Sequence, residues 1–136
     1  MTLHVWTARL SRQLVDYDLL DVTRASAERL QKRGFPAQGS PFAPSWGLLR
    51  AAKTGRIDWS EYAQIYMRQM RSSYRYWRPA WAALLRRSRV VLACVCGPEI
   101  NGTLHCHRVL LAYALGRCGA VYHGEIEASP EAGRQE

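Results

Sequence analysis

The stretch RVVLACVC, from Arg89 to Cys96, constrains the fold most. It is a continuous apolar run rich in valine, and such a run suits a strand covered on both faces, the setting of an inner strand in a parallel sheet. Parallel strands need long crossovers, and the chain supplies helical segments between its other strand-like runs. Residues 3–9 (LHVWTAR) alternate and carry β-branched and aromatic side chains; residues 18–23 (DLLDVT) form a short apolar run, and AVYHGEI reads as the last strand. The expected fold class is therefore α/β: a single compact domain with a mainly parallel, Rossmann-like sheet flanked by helices.

The helices announce themselves through their ends. Ser45 caps a short helix, WGLLRAAKT, that Gly55 terminates. Asp58 and Glu61 form a capping-box pattern opening a helix from about Trp59 to Trp77. Along it Tyr66, Met70, Tyr74, Trp77 and then Trp81 recur at helical spacing as the expected core, while Arg68, Arg71, Arg75 and Arg78 share an exposed face. Pro79 sits in the first turn of the next helix, PAWAALLRR. A final helix runs from Cys106 to about Arg117, ended by Gly119. From Ser26 to Pro44 no period is sustained and Gly34, Pro36, Gly39, Pro41 and Pro44 punctuate the segment, which reads as a long loop. The domain is expected over residues 1–126, with 127–136 a polar, disordered tail.

At 136 residues the chain is long enough for one core. No apolar run reaches bilayer length and the N-terminus carries no export signal, so no membrane association and a cytoplasmic location are expected. Four cysteines, at 94, 96, 106 and 118, are too few and too clustered for an extracellular disulfide framework. The formal net charge of +8 comes from 17 Arg and 2 Lys, and 13 of these lie between Arg29 and Val90 against only Asp58 and Glu61. Such an excess favours anionic partners: a small anion, a nucleotide or nucleic acid. A protein partner leaves little trace in sequence and stays open.

Ligands of open parallel sheets bind beyond the carboxyl ends of the strands. The residues expected there are Asp21, Thr23 and Arg24, then Cys94 and Cys96, then Cys106, His107 and Arg108, then Gly124 and Glu125. Cys106 stands at a helix start beside His105, His107 and Arg108, where dipole and positive neighbours favour a thiolate and hence a nucleophile; the alternative is a small residue closing a turn. A cation in a helix's first turn calls for a negative neighbour. For Arg108 the candidates are the Cys106 thiolate, Asp21, Glu125 or a bound anion. Asp21 and Glu125 offer paired carboxylates for acid–base work if their strands meet. Cofactors are not specified. Zinc held by Cys94, Cys96, Cys106 and a histidine such as His107 has acceptable ligand chemistry, but C-x-C is not the usual C-x2-C hook. A reversible Cys96–Cys106 disulfide is a further alternative.

The order DVTR (21–24), FAPSWGLL (42–49), DWSEYAQIYMRQM (58–70), VVLACVC (90–96), CHRVLLAYAL (106–115) and VYHGE (121–125) resembles the family called domain of unknown function 488, in the short branch with a C-x-C strand found in bacteria and their phages. The resemblance implies an α/β fold and a shared polar pocket, with motif positions at Asp21, Arg24, Phe42 to Trp46, Cys94, Cys96, Cys106, His107, Arg108, Gly124 and Glu125. It supplies no established reaction. The segment GPEINGTLH is longer than the family's usual spacing between the two cysteine motifs, and His105 is additional.

Two functions follow as expectations. One is an enzyme-like domain for a nucleotide or nucleic-acid-derived substrate: Cys106 as nucleophile, Asp21 and Glu125 as acid and base, and Arg24, Arg108, His107, Thr23 and Cys96 holding the substrate. The Ser40 to Trp46 loop, with Ser45 and Trp46, would close over it. The other is a non-enzymatic nucleic-acid module using Arg68, Arg71, Arg75 and Arg78.

Overall fold

A computed structural model describes residues 2–10, 18–34, 38–95 and 106–126. Four strands, β1 (His4–Arg9), β2 (Leu19–Asp21), β3 (Arg89–Cys94) and β4 (Val121–Ile126), form one sheet in the order β2-β3-β1-β4. Every pairing is parallel. Five helices flank it: α1 (Arg24–Lys32), α2 (Trp46–Lys53), α3 (Trp59–Tyr76), α4 (Arg78–Leu85) and α5 (His107–Arg117). The chain is thus a single α/β domain, and the valine-rich run is one of its two inner strands. No helix among the described residues is long and apolar enough to cross a membrane.

Register decides which side chains share a face. Val5 pairs with Val90 and Thr7 with Leu92, so Val90, Leu92 and Cys94 point to the same side as Val5 and Thr7. That side receives α5, which packs on β1, β3 and β4, and α3 packs against α5. All of β3 from Val90 to Cys94 is buried, as the continuous apolar run requires.

The helix ends follow the local chemistry. Ser45 Oγ accepts the Leu48 N–H, and Asp58 with Glu61 completes a reciprocal capping box. Three expectations need correction. The segment from Ser26 is not loop throughout, because α1 occupies residues 24–32; its sequence RASAERLQK consists of good helix formers, but only Ala27 is buried, so no apolar stripe advertises it. Trp77 is not core. It is 57% exposed because the backbone leaves helical geometry there, at the junction between α3 and α4, and the register of the stripe is lost. The strand expected to reach Cys96 ends at Cys94, and Cys96, GPEINGTLH and the tail lie outside the described residues.

Candidate active site at the carboxyl edge of the sheet

β4 carries an irregularity that builds the site. Val5 pairs with Tyr122 but Thr7 with Glu125, so β4 uses one more residue than β1 over the same span. His123 and Gly124 together oppose Trp6, a β-bulge, and Gly124 takes φ +110°, a region other residues rarely adopt. The consequence is geometric. Tyr122 and Glu125, three apart, both face α5, which an unbroken strand would forbid.

Arg108 meets Glu125 there. It is 1% exposed and is the largest fully buried side chain among the described residues. Its Nε donates to Glu125 Oε1 at 3.1 Å and its Nη2 to Oε2 at 2.6 Å, a two-pronged pair. Its Nη1 donates to Cys94 Sγ at 3.1 Å. Burial opposes the guanidinium charge, but the bonds to Glu125 and the sulfur of Cys94 outweigh it, and the pKa stands above the ordinary arginine value. A guanidinium N–H aimed at sulfur in turn favours a thiolate.

Cys106 occupies the N-cap of α5 in extended geometry, and His107 opens the helix. His107 Nε2 donates to the Val22 carbonyl at 2.9 Å; a carbonyl only accepts, so Nε2 carries the proton and in the neutral ring Nδ1 is unprotonated, 4.0 Å from Cys106 Sγ. Burial lowers the His107 pKa to about 4. Tyr66, stacked obliquely on His107, is held as a phenol by its own burial and by neighbouring Tyr62 and Cys94, and donates to the Phe42 carbonyl at 2.7 Å. Cys106 is disulfide-bonded, a state in which its sulfur accepts a thiolate rather than attacking as one.

Ligand atoms of Cys94, Cys106 and His107 lie within 4.8 Å of one another. Zinc chemistry fits them poorly, because Arg108 already brings a fixed positive charge to the Cys94 sulfur that the metal would need. The set is better described as a sulfur pair with a cation and a neutral imidazole.

The other sequence candidates are placed differently. Arg24 Nε donates to the Pro44 carbonyl and its Nη2 to those of Ser40 and Ala43, with Nη1 on Ser40 Oγ, so its guanidinium braces the 40–44 segment. The same segment is held by Tyr66 and by Ser73, which donates to the Pro41 carbonyl; it is framework rather than a free flap. Ser45 caps α2 and accepts from Gln69, and Trp46 is half-exposed beside it. Asp21 Oδ1 accepts the Thr23 N–H. Thr23 Oγ1 is the one buried side-chain polar atom with no hydrogen-bond partner among the described residues. Asp21 and Glu125 do not form a carboxylate pair: β2 and β4 are the two edges of the sheet, three strand spacings or roughly 14 Å apart. Cys96 lies outside the described residues.

The sequence missed Thr7, whose Oγ1 lies 2.6 Å from the Tyr122 hydroxyl beneath Glu125, and it missed Cys94 as the sulfur that Arg108 supports. A glycine inside a strand is the signal for the bulge, and it stands immediately before Glu125.

The family model described as the active DUF488-N3 subclade matches residues 8–118. The chain belongs to the DUF488 family. The match runs from the end of β1 through α5 and so includes Cys94, Cys106, His107 and Arg108, while Glu125, the partner of Arg108, follows it. No curated protein and no solved structure matches the chain.

Proposed function

We propose that this DUF488 protein is a small enzyme that uses sulfur chemistry at the carboxyl end of β3 on an anionic, nucleotide or nucleic-acid-derived substrate. The observation that carries the reading is the buried Arg108, fixed by Glu125 and directed at Cys94 Sγ. A charged, fully desolvated arginine is expensive to keep, and what it does in this position is hold a thiolate beside a second sulfur. Cys94 is then the nucleophile, Cys106 its sulfur neighbour, His107 a neutral imidazole beside that second sulfur, and Glu125 the group that positions Arg108. The unpartnered Thr23 hydroxyl offers a polar contact at the same edge. The description of the matched family as an active subclade agrees with a working site. The basic composition supports an anionic substrate.

The test has two parts. Far-ultraviolet thiolate absorbance of the reduced protein, followed across about pH 5 to 8, should show an ionised sulfur that Cys94→Ser removes and Cys118→Ser does not. The natural chain, incubated with a panel of nucleosides, nucleotides and short oligonucleotides, should convert one class that Cys94→Ser leaves untouched. Equal conversion by Cys94→Ser, or no conversion at all, defeats the reading.

A further inference from the structure

A second feature lies toward the far end of α5, on the order of 15 Å from His107 at the helical rise per residue. There α3, α4 and α5 enclose a groove of about 300 Å³. Met67, Met70 and Ala114 contribute apolar lining, and Arg71 and Arg75 from α3 together with Arg117 from α5 contribute the charge. All three arginines are exposed, and none has an ion pair among the described residues. Nor is a carboxylate near in sequence: between Glu61 and Glu99 there is no Asp or Glu.

That arrangement is electrostatically unfavourable on its own. Arg71 and Arg75 stand four apart on one helix, a spacing at which like charges repel, and Arg117 adds a third positive charge across an apolar lining. An anion relieves the repulsion, and guanidinium forks suit phosphate oxygens. The volume is at the lower bound for small-molecule sites, enough for one base and its sugar phosphate. Methionine thioethers are polarisable and pack well against aromatic rings.

We infer that this groove binds a nucleoside phosphate, with the base against Met67 and Met70 and the phosphate held by Arg71, Arg75 and Arg117. The ligand is either a free nucleotide or one unit of a single strand. The site is independent of the sulfur chemistry at the strand edge: loss of conversion in Cys94→Ser with binding intact would separate the two.

The experiment uses the full chain with two probes, a labelled single-stranded oligothymidine followed by fluorescence anisotropy and adenosine monophosphate followed by calorimetry. Arg71→Ala, Arg75→Ala and Arg117→Ala should each weaken binding about tenfold and lower the salt slope by about one. Arg50→Ala and Arg56→Ala, in a separate basic cleft beside α2, remove the same charge elsewhere and should change binding less than about twofold. Ala114→Phe fills the groove with every charge retained and should abolish binding. Cys118 is free, exposed and part of the groove lining, so bound probe should slow its alkylation, read by peptide mass. Binding of the oligonucleotide alone assigns the site to a strand, and equal binding of the mononucleotide assigns it to free nucleotide. Binding of neither probe, or equal weakening by the groove and the control variants, overturns the inference. The arginines are exposed, so their variants keep the test valid even if Ala114→Phe fails to fold.

Discussion

Arg108 and Glu125, seventeen residues apart and on different elements, form a two-pronged pair in which the arginine is buried and the carboxylate is three-quarters so. Removing one partner leaves an uncompensated charge inside the protein. Glu125→Leu should therefore destabilise by about 3 kcal/mol in urea denaturation, whereas the double change with Arg108→Met should recover much of that loss, because replacing both charges removes the desolvation penalty as well. A double variant no more stable than Glu125→Leu alone would show that Arg108 is not held mainly by this pair.

The neutral His107 makes stability depend on pH. Its pKa is about 4 in the folded chain against an ordinary 6.5, so between these values the unfolded chain binds more protons. Its contribution is complete above about pH 6.5 and is lost as pH falls toward 4, an expected decrease of roughly 3 kcal/mol. His107→Gln, which retains a donor for the Val22 carbonyl, should flatten the slope in that window. An unchanged slope in the variant would place the titration elsewhere.

The same substitution should have opposite signs at two glycines. Gly124→Ala forces a β-carbon into φ +110° and should cost about 1–3 kcal/mol, although the space around it is open. Gly116→Ala, in the exposed part of α5 with nothing within 4 Å of the new methyl, should stabilise by about 0.5–1 kcal/mol. Thermal melting of the pair reads both.

Arg24 braces the 40–44 segment through three carbonyls, and a lysine cannot reproduce that fork. Arg24→Lys should destabilise by about 1–3 kcal/mol and open the segment to limited proteolysis. Gly39→Ala is a harsher test, since its β-carbon would sit 1.8 Å from the Asp21 carbonyl oxygen. Little folded protein is expected from it, as judged by soluble yield and circular dichroism.

How much of this was legible in the sequence depends on whether the signal was local. Asp58 and Glu61 define the start of α3 because the capping bonds span three residues, and the valine run marks β3 because burial on both faces excludes polar residues. α1 escaped because nine residues with a single buried alanine produce no stripe. The distance between Asp21 and Glu125 was illegible, since it follows from strand order, which no short stretch encodes. Arg108 shows the boundary. Its need for a negative neighbour was readable from its place in the first turn of α5, but the choice of Glu125 and Cys94 depended on a one-residue bulge and on register.

The sheet order also sets a timetable for folding. β1 and β3, its inner pair, come from opposite sides of an eighty-residue interval, and β4 joins last in the chain. Such long-range pairing is slow to form, and during synthesis β1 must wait for β3 to emerge about eighty residues later. Until β4 docks, Arg108 lacks its carboxylate, so a half-built sheet encloses an unmatched charge and is unstable. The last strand therefore acts as a checkpoint: the electrostatic condition for closing the core and the completion of the candidate site are the same event.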